Sequence, residues 1–153
     1  MYAVGRLDTE GNLAKLTEVL KDEKVSVSRE ALKALLSKAR MIPLADLEGL
    51  LSSSPTFHAR HNALVLIQHT EKWKKIPALL CACADKDTRL AGLAERAVRN
   101  WFYTYNQSFS EPTQIDHERI ENALSKVESI LPKKAVFELR TCLKIISNEH
   151  HLS

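Results

Sequence analysis

The chain has 153 residues, about the length of one ordinary domain. Hydrophobic residues make up 44% and charged residues 27%, a balance that is typical of globular proteins and excludes a disordered chain. With 4 glycines, 5 prolines and a net charge of +3, the composition favours helices, excludes collagen-like and low-complexity chains, and does not by itself indicate a nucleic-acid binder.

A pattern of apolar residues followed by an arginine recurs four times along the chain. An apolar residue at position i is joined by two more at i+3 and i+4, and an arginine follows 13 positions after the first. The four patterns begin at Leu16, Leu47, Ile76 and Val127, and they lead to Arg29, Arg60, Arg89 and Arg140. The apolar triplet lies on one side of an α-helix, and turn-prone residues separate it from the arginine. Each pattern therefore predicts a helix, a turn and a second helix.

Taken in chain order, the predicted units are four helix pairs. They span about 9–41, 42–71, 72–101 and 118–147, with second helices at 28–40, 58–70, 88–101 and about 135–147. Ser28 and Thr88 are expected to be the N-cap residues of the first and third of these second helices. The triplets begin 31, 29 and 51 positions apart, so an insertion of about 102–117 precedes the fourth unit. A longer helix is predicted from about Gln114.

The third unit resembles a HEAT repeat, because Pro77 lies near the start of its first helix and Asp85 and Arg89 lie around its turn. The resemblance covers about 13–146, and the segment 105–113 is similar to a stretch that follows the repeats in bacterial HEAT-like proteins. The resemblance to HEAT repeats implies an all-α fold that forms a single domain over 1–153. This fold would be a right-handed α-solenoid of about four antiparallel helix pairs, a HEAT/ARM-like superhelix. A stack is also physically required, since one helix pair cannot bury its own apolar face.

HEAT proteins are chiefly interaction scaffolds, so the resemblance implies a non-enzymatic protein that holds a partner along the concave surface of the second helices. On the third unit's second helix, a projection at 100° per residue puts the arginines opposite the apolar face. Such a surface has a positive potential that favours an acidic protein partner or a phosphate backbone. The candidate partner-binding residues are Arg29, Lys33, His61, Gln68, Arg89, Arg96 and Arg99.

Several alternatives remain open for these residues. The four aligned arginines are expected to bond acidic groups or carbonyls of the neighbouring repeat, although they could instead form a row that binds a partner. The basic faces of the second helices could be ordinary solvated surface. Aromatic residues around Trp73 and Trp101 are expected to be buried, but with the lysines beside Trp73 they could instead bind nucleic acid. The alternative functions are a nucleic-acid-binding HEAT-like protein of the DNA-repair type and a structural fragment of a longer solenoid, and an end-to-end homodimer is possible.

No catalytic signature is present in the sequence, and we predict a protein that is not an enzyme and needs no cofactor. The three cysteines, Cys81, Cys83 and Cys142, contain no CxxC pair, which favours a reduced, cytoplasmic setting in which they are plain packing residues, with Cys81 and Cys83 on different faces of a helix. His58 and His61 lie at i and i+3 without a carboxylate at ligand spacing, so no metal site is predicted. No signal peptide or membrane-spanning stretch is recognisable, so no membrane association is expected.

Overall fold

The computed structural model describes residues 9–105 and 110–152, with side chains described from 12 to 105 and from 110 to 143. In these ranges it contains eight α-helices, one 3₁₀-helix and no strand, which confirms the prediction of an all-α protein. The helices are α1 (Thr9–Val19), α2 (Val25–Leu35), α3 (Leu44–Ser53), α4 (Phe57–Gln68), α5 (Lys72–Ala82), α6 (Thr88–Thr104), α7 (Gln114–Val127) and α8 (Lys133–Leu152). The 3₁₀-helix, Leu36–Met41, follows α2 directly. Positions 106–109 of the predicted insertion lie outside the described residues.

The chain divides into two compact units, an N-terminal unit (Met1–Glu71) and a C-terminal unit (Lys72–Ser153). In the N-terminal unit α1 packs on α2, α3 packs on α4, and the two second helices α2 and α4 pack on each other. In the C-terminal unit α5 packs on both α6 and α7. The boundary falls between the second and third predicted helix pairs, so each unit holds two of them. The helix pairs bury Leu20, Leu35, Leu47, Leu64, Leu66 and Ile67 in the first unit, and Trp73, Ile76, Leu79, Leu80, Leu90 and Trp101 in the second.

Both predicted N-cap residues are wrong. Helix α6 is capped by Asp87, whose carboxylate accepts a hydrogen bond of 3.0 Å from the backbone N–H of Arg89. A carboxylate caps well because it accepts this bond and also interacts favourably with the positive end of the helix dipole. Helix α2 begins at Val25, so Ser28 lies inside its first turn and is buried, and its hydroxyl donates to the carbonyl oxygen of Leu20 at 2.8 Å. The helix predicted at 28–40 therefore starts earlier and ends as an α-helix at Leu35.

Helix α7 begins at Gln114, as the apolar period predicts, because a capping box precedes it. The Thr113 hydroxyl accepts a bond of 3.1 Å from the Asp116 N–H, and the Asp116 carboxylate accepts one of 2.9 Å from the Thr113 N–H. This reciprocal pair satisfies two of the N–H groups that a helix start leaves without a partner. The apolar period is buried through Ile120, Leu124 and Val127, which fixes the face that α7 turns to the core.

The cysteines differ from one another in their surroundings. Cys83 is buried and Cys142 is half-buried, in line with packing residues, whereas Cys81 is exposed, so the predicted packing role is wrong for Cys81. No disulfide joins the three, all of which lie in the described ranges. Burial, followed by the negative charge of Glu95 and the neighbouring Cys81, raises the pKa of Cys83 to about 12. Among the described helices, none combines the length and apolar character needed to cross a membrane.

Candidate functional site

Helix α6 has one buried face and one exposed face. The buried face packs in the C-terminal unit through Leu90, Ala94, Ala97, Val98 and Trp101. On the opposite side, positions spaced alternately by three and four residues lie along one line of the helix. We call this line the α6 outer face, and it consists of Arg89, Gly92, Arg96, Arg99 and Tyr103. The three predicted arginines of this unit are therefore brought onto one surface.

The arginines of the α6 outer face differ in their partners. Arg89 is bound to the helix cap, since its guanidinium donates to the Asp87 carboxylate at 2.9 and 3.2 Å. The hydrogen bond between them raises the pKa of Arg89 and lowers the pKa of Asp87. Arg96 and Arg99 are exposed, and neither forms an ion pair with a residue that the structure describes. Two guanidinium groups on this face are therefore available to a ligand.

The C-terminal end of α6 is held in place by an aromatic cluster. Trp101 stacks on Tyr105 with ring centroids 5.3 Å apart and meets Trp73 edge-on at 5.5 Å. Both indole N–H groups donate to main-chain carbonyls, Trp101 to Lys72 at 2.8 Å and Trp73 to Ser110 at 2.7 Å. The predicted burial of Trp73 and Trp101 is confirmed, since each is only 1% exposed. Because these contacts hold α6 against α5, the outer face lies on a helix that is fixed at its far end.

One aromatic residue departs from the predicted burial. Tyr103 is 83% exposed and continues the α6 outer face one turn beyond Arg99. Exposed tyrosine is a residue that protein interfaces favour, since it combines a large apolar ring with a hydroxyl. Neither Tyr103 nor Gly92 was among the predicted site residues, although the spacing of three and four residues from Arg89 onwards includes both.

The predicted site residues of the N-terminal unit lie on α2 and α4. Arg29 and Lys33 are exposed on α2, and the Lys33 ammonium pairs with Glu30 at 3.3 Å. His61 and Gln68 are half-buried on α4, and the ring centroid of His61 lies 5.9 Å from that of Phe57. Since α2 and α4 pack on each other, these four residues share one helix layer, but they differ in how accessible they are.

Three of the four aligned arginines bond an acidic group or a carbonyl, but within their own helix pair. Arg60 donates from Nε to the Leu51 carbonyl at 2.7 Å, which bonds α4 to the end of α3. Arg140 donates to the Glu128 carboxylate at 2.9 Å and lies 3.7 Å from that of Glu121. With Asp87 as the partner of Arg89, three aligned arginines each have a bond inside their own pair, and the expected bonds to a neighbouring repeat stay a prediction.

His58 at the start of α4 and His69 just after its end each bond to a backbone carbonyl. Nε2 of His58 lies 2.6 Å from the Asp22 carbonyl oxygen, and Nδ1 of His69 lies 3.0 Å from that of Val65. Across the part of the chain that the structure describes, no three His, Cys, Asp or Glu residues are grouped as metal ligands would be. The His58 contact instead links α4 to the turn after α1.

A groove that the sequence did not indicate runs between α1 and α3 in the N-terminal unit. It has a volume of about 810 Å³ and is lined mainly by small and apolar residues. These include Leu13, Ala14, Thr17, Ala45, Gly49 and Leu50. The charged side chains at its edge are Glu18, Lys21 and Asp46, of which the first two pair with each other at 3.2 Å.

Comparison with known proteins finds no matching family model, no matching curated protein and no matching solved structure. The geometry and charge of the surfaces described above are therefore the features from which a function can be inferred. Among these, the α6 outer face combines an exposed tyrosine, a fixed helix and two exposed arginines that form no ion pair with any residue the structure describes.

Proposed function

We propose that this protein is a non-enzymatic scaffold that binds an acidic segment of a protein partner on the α6 outer face. The observation that carries the proposal is the pair Arg96 and Arg99, which are exposed, adjacent on one side of a helix and without an ion pair among the described residues. A guanidinium binds a carboxylate through two parallel hydrogen bonds, so two such groups in a row suit a ligand with several acidic side chains. Tyr103 adds an apolar ring to the same surface.

The proposal includes a HEAT-like architecture, with the helix pairs as repeats of a right-handed solenoid and partners bound along the second helices. Three of the four predicted pairs consist of consecutive helices that pack together and are joined by the short turns 20–24, 54–56 and 83–87. Such αα-hairpins are the building blocks of helical repeat proteins. A cytoplasmic location and the lack of enzymatic activity are part of the same proposal.

The charge of α6 favours an acidic ligand. Its sequence holds three arginines and one carboxylate, Glu95, which lies to one side of the outer face. The Asp87 carboxylate compensates one arginine by its ion pair with Arg89. Arg96 and Arg99 thus leave this face positive, and a positive patch both attracts acidic partners and repels basic ones.

The test starts from 12-residue peptides selected on the intact protein from a random display library. We expect acidic sequences, and we expect the double variant Arg96→Glu with Arg99→Glu to lower their affinity at least tenfold in fluorescence anisotropy. Arg89 is kept, because replacing it would remove the ion pair of the α6 cap and confuse binding with folding.

The matched control is Arg119→Glu with Lys126→Glu, which reverses the same charge at exposed positions of α7 in the same unit. Equal loss in both double variants would show that only net charge matters and would contradict a specific site. Labelled single-stranded DNA and RNA are tested in parallel over a range of salt concentrations. Polynucleotide binding that exceeds peptide binding and falls steeply with salt would replace the proposal with the nucleic-acid alternative.

A further inference from the structure

Gly92 stands in the interior of α6, where the contacts of the described residues give no reason for a glycine. Its φ angle is not positive, so the backbone does not require glycine. A Cβ atom built at this position would meet nothing within 4 Å, so no neighbouring group in the described structure requires the space either. Glycine in a helix interior nevertheless lowers the helix-forming equilibrium about fivefold relative to alanine. Neither the backbone conformation nor packing within the described structure therefore explains the glycine.

What distinguishes Gly92 is its position among the arginines of the helix. It lies on the α6 outer face, three residues after Arg89 and four before Arg96, so it is bordered along this line by two long side chains. A residue without a side chain between two arginines leaves a notch in which the helix backbone, half-buried at Gly92, is partly accessible. Glycine is the usual residue where another backbone must approach a chain closely.

We propose that the main chain of the acidic partner segment crosses α6 at Gly92, in an extended conformation, while its carboxylates bind Arg96 and Arg99. An extended segment is inferred because its main chain is accessible between its side chains, whereas a helix surrounds its main chain with side chains. The contact is closed by Cα–H···O bonds and van der Waals packing against the bare backbone at Gly92. This inference rests on the proposed function and specifies how the partner lies on the surface.

A second glycine of the chain provides a matched control. Gly49 lies inside α3, is exposed, and would also accept a Cβ with nothing within 4 Å. It borders the groove between α1 and α3, where the side chains within one turn on the same face are Asp46 and Ser53 and not arginines. Replacing either glycine by alanine is therefore expected to have the same effect on folding and a different effect on binding.

The experiment measures folding and peptide affinity for Gly92→Ala, Gly92→Leu and Gly49→Ala, with the selected acidic 12-residue peptide as the probe. Both alanine variants should unfold at a higher urea concentration than the parent protein. Gly92→Ala should lower the peptide affinity at least threefold and Gly92→Leu at least tenfold, while Gly49→Ala leaves it unchanged. Far-UV circular dichroism of each variant establishes that the helices are retained.

The outcomes separate this inference from the proposed function. If Arg96→Glu with Arg99→Glu removes binding but both Gly92 variants bind as the parent does, the inference is overturned and the proposed function stands. If the arginine variant binds as the parent does, the proposed function itself fails. If Gly92→Ala and Gly49→Ala weaken binding equally, the effect comes from helix rigidity and the notch at Gly92 is not the contact.

Discussion

The side-chain amide of Asn62 on α4 donates a hydrogen bond of 2.6 Å to the hydroxyl of Ser28 on α2. That hydroxyl donates in turn to the carbonyl oxygen of Leu20, at the end of the first helix. Both side chains are buried, so neither could replace its partner by water if the helices shifted. The chain of bonds therefore fixes how α2 sits against α4 in the N-terminal unit.

We expect Asn62→Ala and Ser28→Ala each to lower the free energy of unfolding by about 1–3 kcal/mol. Ser28→Ala removes the acceptor of the Asn62 amide and the donor to the Leu20 carbonyl, whereas Asn62→Ala leaves the Ser28 hydroxyl with only its bond to Leu20. The double variant should lose less than the sum of the two, with a coupling of about 0.5–3 kcal/mol. Urea unfolding followed by far-UV circular dichroism provides the four values. Strictly additive losses would mean that the two side chains act independently.

Two of the aligned arginines, Arg60 and Arg29, should differ in how much they contribute to the free energy of unfolding. Arg60→Ala removes the half-buried bond to the Leu51 carbonyl and should lower the free energy of unfolding by about 1–2 kcal/mol. Arg29→Ala changes an exposed residue without an ion pair among the described residues, and should stay within about 0.5 kcal/mol of the parent protein. The same urea titrations measure both. A loss at Arg29 as large as that at Arg60 would point to a structural contact of Arg29 that these bonds do not include.

The cap of α6 should give an acid-dependent contribution to stability. The hydrogen bond from Arg89 holds the pKa of Asp87 below its ordinary value of 3.8, so the folded protein favours the ionised form. The resulting stabilisation is complete above the pKa of the unfolded chain and is lost as pH falls through the lower folded value. Asp87→Asn keeps a capping oxygen but removes the charge.

We therefore expect the stability difference between the parent protein and Asp87→Asn to be constant above about pH 5 and to shrink below about pH 4. Thermal unfolding between pH 7 and pH 3 is the measurement, and added salt should reduce the difference at neutral pH because the pair is exposed. A difference that stays the same down to pH 3 would rule out the Asp87 charge as its source.

The two neighbouring cysteines of α5 and its following turn should differ sharply in reactivity. Cys81 is exposed, whereas burial of Cys83 raises its pKa to about 12 and leaves almost no thiolate near neutral pH. Iodoacetamide at pH 8 should therefore modify Cys81 in the native protein, and both cysteines only after denaturation. Fragment-ion mass spectrometry of the tryptic peptide 76–86 locates the label, and Cys81→Ser provides the control. Rapid native labelling of Cys83 would contradict its burial.

The fold was predictable where one local signal decided the outcome. The start of α7 follows from the apolar period and from Thr113, which acts as its cap. The start of α2 was missed because a serine before an apolar period is typical of an N-cap, while the Ser28 hydroxyl is used by Asn62, 34 positions away. A single sequence does not indicate which long-range partner a polar side chain takes.

In the candidate site, too, local periodicity was readable from the sequence and long-range contacts were not. Helical periodicity alone predicts that Arg89, Arg96 and Arg99 share one face, and the structure has them so. Tyr103 was missed because the helix was expected to end at Trp101. The helix instead continues to Thr104, and within it the Trp101 indole donates to the Lys72 carbonyl at the start of α5. This contact again joins residues that are far apart in the sequence.

The edge-on pair of Trp73 and Trp101 makes the C-terminal unit optically distinct. These are the 2 tryptophans of the chain, and both belong to one of its two compact units. Their emission therefore reports the unfolding of α5 and α6, while circular dichroism reports the helices of both units together. Coincident denaturation curves from the two methods would show that the units unfold as one cooperative system. Separated curves would assign each transition to its own half of the chain.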